Sequence, residues 1–119
     1  MSARDIAGVR VFVCPEEGPC LADYAALTDL IGELYSCGAR WVAIPLARLG
    51  PDFLKLSTRV AGELLQKLVT YRFQVAVLGD VSTAAEASAP LRDFIRESNR
   101  GTTVWFVDDL AALEAKLAG

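Results

Sequence analysis

The chain has 119 residues, of which 53% are hydrophobic and 23% charged, and its net charge is -3. This length fits one domain around a single core, and this composition is typical of a soluble globular protein. Twelve basic residues against fifteen acidic ones, with no basic run, provide no surface that neutralises phosphates, so we expect no nucleic-acid partner.

Several chemistries are excluded by residue usage. Histidine is absent, which removes serine–histidine–acid triads, cysteine–histidine pairs and imidazole metal sites. Cys14, Cys20 and Cys37 form no CxxC motif, so we expect free thiols in a reducing cytoplasm. The N-terminus has no signal-peptide pattern, and no apolar run approaches the roughly 20 residues of a membrane span. We therefore predict no membrane association, and the sequence indicates neither a cofactor nor a metal.

The first part of the chain predicts two strands around one helix. Val9–Val13 is a β-branched strand, which the proline-containing loop 14–19 ends. Asp23 is the predicted N-cap of the helix, and Gly38 is its left-handed C-terminal residue. The apolar run 41–46 predicts the second strand. The apolar stripe of the helix, expected to face the core, comprises Tyr24, Leu27, Leu30, Ile31, Leu34 and Tyr35.

The middle of the chain predicts a loop, an amphipathic helix and a buried strand. The helix is expected over about 57–71, with Ser57 or Thr58 as its N-cap. Residues 75–78 lack polar alternation, which predicts a central strand covered by helices on both faces. The side chains of the helix expected to point inward are Val60, Ala61, Leu64, Leu65, Leu68 and Val69.

The last part predicts a loop of small residues over 81–89, then a helix, a strand and a closing helix. Pro90 lies in the first turn of the first helix, and Gly101 ends it. Residues 103–107 form the strand, and Asp108 or Asp109 caps the closing helix. Strands and helices thus alternate through short connections. This order predicts a single α/β domain, a layered sandwich with a mostly parallel or mixed sheet of four to five strands.

In a parallel sheet the loops that follow the strands share one rim, where ligands tend to bind. Ser57 and Thr58 are expected on this rim as ligand or switch residues. A hydroxyl at a helix N-terminus caps free amides and, if phosphorylated, places negative charge at the positive end of the helix dipole. Asp80, also on the rim, could hold a ligand or could only stabilise its turn.

The exposed side of the predicted middle helix is a second candidate region. Arg59, Glu63 and Lys67 lie there and form a candidate interaction surface. Charged residues at such spacing are also typical of a solvated helix face, so both interpretations stay open.

Four segments resemble one known family. They are TRVAGELLQKLVTYR at 58–72, AVLGD at 76–80, LRDFIRESNRG at 91–101 and WFV at 105–107. The chain closely resembles, over nearly its whole length, the family named domain of unknown function 4180. That family is mainly bacterial and has no established activity. The resemblance therefore implies a bacterial domain of that family without implying a function.

A looser resemblance is to the sulfate transporter and anti-sigma factor antagonist (STAS) domains, which share the predicted order of elements. Their switch serine or threonine stands where Ser57 and Thr58 stand here. The aspartate before that pair is Leu56 in this chain, and the glycine after it is Arg59. In those antagonists, phosphorylation at the switch decides whether a partner protein is bound. The resemblance implies a STAS-like fold and, by analogy, a regulatory role.

Three functions remain open. The first is a non-catalytic, STAS-like regulatory module that binds another protein, or a second copy of itself as a homodimer, through the rim with Ser57 and Thr58. The second is a small-molecule-binding or enzymatic domain with a rim pocket near Ser57, Thr58 and Asp80, in which carboxylates or a lysine would transfer protons. The third is an assembly module whose exposed Trp41 or Trp105 forms a homodimer face.

Overall fold

A five-stranded mixed sheet organises residues 2–119, the part of the chain that the computed structural model describes. The strands lie side by side in chain order. The first two are antiparallel, and every later neighbour is parallel. The predicted α/β class and mostly parallel sheet are confirmed. The strands are β1 Ser2–Ile6, β2 Val9–Val13, β3 Trp41–Pro45, β4 Gln74–Leu78 and β5 Val104–Val107.

Helices connect and cover these strands. Two short 3-10 turns, Leu46–Arg48 and Leu56–Thr58, lie between β3 and the second helix. Within residues 2–119 no helix is both long enough and apolar enough to cross a membrane. The helices are α1 Tyr24–Cys37, α2 Val60–Thr70, α3 Ser82–Ala87, α4 Ala89–Arg100 and α5 Leu110–Ala118.

The sheet carries a core on each face because side chains alternate along a strand. One face, which includes Ile44 and Val77, packs against α1, α2 and α4. The opposite face, which includes Trp41 and Ala76, packs against α5. Residues 75–77 are almost fully buried in β4, and this strand pairs with β3 and β5. The prediction of a buried strand covered by helices on both faces is confirmed, although β4 is the fourth of five strands and β3 is the central one.

Strand β1 was not predicted, because SARDI has a low β-propensity apart from its isoleucine. It pairs with β2 through a two-residue hairpin turn in which Ala7 has φ 52° and Gly8 has φ 81°. Such turns need positive φ at both central residues, and glycine adopts it without strain. Gly8 was thus the feature of the sequence that indicated a hairpin turn before β2.

The prediction of a loop over 81–89 is wrong, because Ser82–Ala87 is the short helix α3. Its sequence, STAAEA, is rich in alanine, the best helix former. Small residues also favour loops, so composition alone predicts a connection here. The predicted helix after it is confirmed as α4, with Pro90 in its first turn and Gly101 at its end.

Helix α1 keeps its predicted ends but not its whole predicted buried stripe. Asp23 accepts a hydrogen bond from the Ala26 N–H, and Gly38 is left-handed with φ 71°. Tyr24 and Tyr35, however, are 72% and 60% exposed. A tyrosine at the edge of an apolar stripe can keep its hydroxyl in water, so periodicity alone overestimated the burial of these two residues. The predicted stripe residues that are buried are Leu27, Leu30, Ile31 and Leu34.

Asn99 closes the outer edge of β5. Its side-chain oxygen accepts from the Phe106 N–H at 2.7 Å, and its side-chain nitrogen donates to the Phe106 carbonyl at 3.3 Å. Lys116 donates to the Asn99 carbonyl at 3.1 Å. The asparagine of the LRDFIRESNRG segment therefore has a structural role in this fold.

Candidate functional site

The carboxyl ends of β3 and β4 carry the predicted rim residues, but these residues have different surroundings. Thr58 is part of a 3-10 turn rather than the N-cap of α2. Its hydroxyl oxygen lies 2.9 Å from the Asp52 carbonyl and 2.7 Å from the Lys55 carbonyl, and it accepts from the Val60 N–H at 3.3 Å. A hydroxyl has one proton to donate, so these contacts fully engage it. Thr58 holds the chain that leads into α2.

Arg59 connects this turn to α2 in the left-handed conformation, with φ 63°. A non-glycine residue there carries backbone strain. Its side chain is exposed and makes no capping hydrogen bond to α2. The predicted N-cap position is therefore wrong, because Arg59 occupies it, but the Thr58 hydroxyl does accept from the first N–H of α2, that of Val60.

Ser57 differs from its neighbour. It is exposed, and no residue within 2–119 forms a hydrogen bond with its hydroxyl. It lies in the wall of a groove of about 840 Å³, which we name the Ser57 groove. One wall is the segment after β3, and the other is the junction of α3 and α4. The lining residues are Pro51, Leu54, Lys55, Leu56 and Ser57 on the first wall and Ala84, Ala87, Ser88 and Pro90 on the second.

Asp80 follows β4 and has one carboxylate oxygen engaged locally. One carboxylate oxygen accepts from the Ser82 N–H at 2.9 Å and from the Ser82 hydroxyl at 2.6 Å. The Ser82 hydroxyl, and after it the Ser82 N–H, holds the pKa of the Asp80 carboxyl below its usual value. This geometry is that of a turn-stabilising aspartate at the start of α3. Neither Asp80 nor Thr58 is among the residues that line the Ser57 groove.

The candidate interaction surface of Glu63 and Lys67 extends onto α1. The Lys67 ammonium lies 4.0 Å from the centre of the Tyr24 ring, a cation–π contact. Glu63, Lys67 and Tyr24 border a small cavity of about 180 Å³ between α1 and α2. Arg59 does not border this cavity, so the three residues are not all brought together.

Trp41 and Trp105, the basis of the assembly hypothesis, pack against each other instead of forming an exposed patch. Their ring centres are 4.5 Å apart, and Trp41 is buried. Lys116 lies 4.7 Å from the centre of the Trp105 ring and covers it further. This face is therefore part of the core beneath α5.

Sequence reasoning missed a second site on the same rim, around Arg48. This arginine is only 8% exposed and lines a cavity of about 260 Å³ with Cys14, Gly18, Asp29 and Glu33. The two prolines of the loop after β2 predict only the end of that strand. The glycine between these prolines was the available signal of an ordered turn, but no pattern linked it to Arg48, which lies 30 residues later in the sequence.

Comparison with known proteins identifies the family. The profile of the Domain of unknown function (DUF4180) matches residues 6–117, nearly the whole chain. No curated protein and no solved structure matches. The matched range includes the whole of the Ser57 groove and the cavity at Arg48. The chain therefore belongs to the family described as Domain of unknown function (DUF4180).

Proposed function

We propose that this chain is a non-catalytic regulatory module of the cytoplasm that binds an acidic and apolar segment of another protein in the Ser57 groove. The observation that carries the proposal is the exposed hydroxyl of Ser57, which has no hydrogen-bond partner among residues 2–119 and lies in the wall of a mainly apolar groove. Contiguous exposed apolar surface on a small domain marks an interaction site more often than a catalytic one.

The lining of the groove supports a protein segment as the ligand. Most of its residues are proline, leucine or alanine, which offer burial to apolar side chains but no hydrogen-bonding pattern for a polar metabolite. The predicted rim pocket shared by Ser57, Thr58 and Asp80 has less support, because Thr58 and Asp80 use their side chains within their own turns.

The charges around the groove favour an acidic partner. Lys55 lines the groove and Arg59 lies two residues beyond Ser57. The contact between Lys55 and Asp52, at 3.7 Å, joins two well-exposed side chains and holds the lysine only weakly. The first turn of α4 also reaches the groove through Pro90, and a helix N-terminus favours negative charge.

The same charges make Ser57 a suitable switch. A phosphate on Ser57 would add about −1.5 to −2 charges beside Lys55 and Arg59. It would then compete with the carboxylates of the partner for these cations. From β3 onward the observed order is strand, hydroxyl-bearing segment, helix, strand, two helices, strand and helix. Apart from the additional short helix α3 this order is similar to that of STAS domains, and the similarity supports the role by analogy.

The test places a photo-crosslinking residue at position 55, in place of Lys55, in cells of the source organism to identify the partner. The affinity of the unmodified chain for the purified partner is then measured. Calorimetry with the crosslinked segment of that partner should give a binding constant for the wild-type chain. We expect Ser57→Asp to weaken binding about tenfold, because a fixed negative charge repels the acidic segment.

Ser36→Asp is the matched control, since Ser36 is an exposed serine on α1 and does not line the groove. It should leave binding unchanged. Equal affinities for wild-type chain and Ser57→Asp would overturn the proposal. A crosslinked segment without carboxylates would overturn the assigned chemistry of the partner.

A further inference from the structure

Arg48 ends the 3-10 turn after β3, and its guanidinium is held by the loop that follows β2. Its Nε donates to the Pro19 carbonyl at 2.9 Å. Its Nη1 donates to the Pro15 carbonyl at 2.9 Å and to the Glu17 carbonyl at 3.4 Å. Three bonds to neutral acceptors fix the position of the guanidinium without neutralising its charge.

No carboxylate within residues 2–119 lies close enough to Arg48 to form an ion pair. A buried cation is stabilised by an anionic partner, and its absence leaves the charge of Arg48 uncompensated. The ion pairs within residues 2–119 do not include Arg48, and their side chains are exposed: Asp5–Arg10, Asp52–Lys55 and Glu97–Arg100.

The thiol of Cys14, on the same cavity, does not supply that negative charge. Burial raises the pKa of the Cys14 thiol to about 11, against the opposing effect of the Arg48 charge, and the nearby charge of Glu33 raises it further. Cys14 is therefore neutral at physiological pH. Arg48 is therefore the one fixed cation among the residues that line the cavity.

The second nitrogen of the fork, Nη2, has no hydrogen-bond acceptor within residues 2–119. Every fully buried side-chain nitrogen or oxygen in this range has a hydrogen-bond partner. Since Nη2 has none, this atom is not fully buried. Arg48 lines the cavity of about 260 Å³. Gly18 keeps the loop close to the guanidinium: its φ is 143°, and a Cβ there would lie 2.9 Å from Cζ and 3.1 Å from Nη2 of Arg48. The loop is thus shaped around an arginine with a free donor.

The lining of the cavity also includes acidic residues. Asp29 and Glu33 lie one turn apart on α1, and Glu17 lies in the loop after β2; all three are exposed and line the cavity. Apolar side chains of Phe12, Leu21 and Leu30 line the space as well. The cavity therefore combines one buried cation, three carboxylates near solvent and an apolar wall.

We propose that this cavity binds a small zwitterion with an apolar side chain, such as an aliphatic α-amino acid. The ligand carboxylate accepts from Nη2 of Arg48, the ligand ammonium faces Asp29 and Glu33, and the apolar side chain packs on Phe12 and Leu30. The volume is below the range typical of drug-sized ligands, which begins at roughly 300 Å³, and so suits a molecule of this size. This site is separate from the Ser57 groove and does not depend on the function proposed for it.

The test compares three probes by calorimetry on the full chain: leucine, 4-methylpentanoate, which lacks the ammonium group, and 3-methylbutylamine, which lacks the carboxylate. Leucine should bind saturably, and each analogue should bind at least about tenfold more weakly, because it leaves one charged group of the site without a partner. The double variant Asp29→Asn, Glu33→Gln should bind leucine no more tightly than the wild-type chain binds 4-methylpentanoate.

The control is Asp93→Asn, Glu97→Gln, which removes two exposed carboxylates with the same spacing on α4. It should bind leucine as the wild-type chain does. Absence of saturable leucine binding would overturn the proposal, as would equal affinity for leucine and 4-methylpentanoate. Tighter binding of inorganic phosphate than of leucine would also overturn it and would assign a simple anion site.

Discussion

The cavity at Arg48 and the Ser57 groove lie at the same end of the sheet and share one chain segment, residues 46–58 between β3 and α2. At Arg48 a charged side chain is buried and fixed by three hydrogen bonds. At Ser57 a neutral hydroxyl is exposed and makes no bond within the described part of the chain. A single connecting segment can therefore contain both a stretch that is held in place by its own hydrogen bonds and a stretch whose polar group is available to a binding partner.

The largest expected effect comes from replacing Arg48, whose hydrogen bonds order the loop after β2. Arg48→Met leaves the carbonyls of Pro15, Glu17 and Pro19 without their donor, so we expect a loss of about 3 kcal/mol in the free energy of unfolding. Urea denaturation measures it. Arg92→Met, at an exposed position on α4, should change stability by less than about 0.5 kcal/mol. A similar small effect for both variants would show that Arg48 does not organise this loop.

A smaller effect is expected from the glycine that faces Arg48. Gly18→Ala introduces a side chain at φ 143° and brings it against the fixed guanidinium, so we expect a loss of about 2 kcal/mol. Gly32→Ala is the matched control, because Gly32 is helical and a Cβ there meets nothing within 4 Å. It should gain up to about 1 kcal/mol. If both changes are neutral in thermal unfolding, the close approach is not a structural requirement.

Within the Ser57–Thr58 pair, we expect the two substitutions to differ by about 1 kcal/mol in the free energy of unfolding. Thr58→Val loses the bonds to the carbonyls of Asp52 and Lys55 and to the Val60 N–H, so it should destabilise the chain by that amount. Ser57→Ala should leave the midpoint of urea unfolding unchanged. Destabilisation by Ser57→Ala equal to that by Thr58→Val would show that Ser57 is a structural residue too.

The smallest expected effect concerns Asp80. Because its pKa is lowered in the folded chain, its contribution to stability is present above the pKa of the unfolded chain and is lost as the pH falls through the folded value. Carboxyl carbon NMR should place its titration below the usual range. Ser82→Ala should raise the pKa towards its usual value, whereas Thr83→Ala should not. An unchanged titration in Ser82→Ala would contradict the assigned hydrogen bonds.

The fold was largely predictable because its buried elements have clear periodic patterns. The continuous apolar run of β4 and the three-and-four spacing of α2 predicted the scaffold correctly. Caps were predictable where one side chain reaches its own helix, as Asp109 does when it accepts from the Ala112 N–H at 2.9 Å. Elements with weak local preference, such as β1, became visible only through their pairing with a neighbour.

The sites were less predictable because they depend on contacts distant in sequence. The sequence marked Ser57 and Thr58 equally, and only the turn geometry distinguishes the engaged hydroxyl from the free one. Arg48 looks like an ordinary surface arginine in the sequence, since an isolated charged residue carries no local signal of burial. Its partners are 29 to 33 positions away in the sequence.

The bonds between Asn99 and Phe106 also limit how this chain can associate with other molecules. An exposed sheet border is a template on which a foreign strand can continue the ladder, and it is a common origin of fibrils. At β5 the outward donor and acceptor of Phe106 are already used by the side chain of Asn99. The sheet is therefore protected against such extension on this side, and Asn99→Ala would remove the protection.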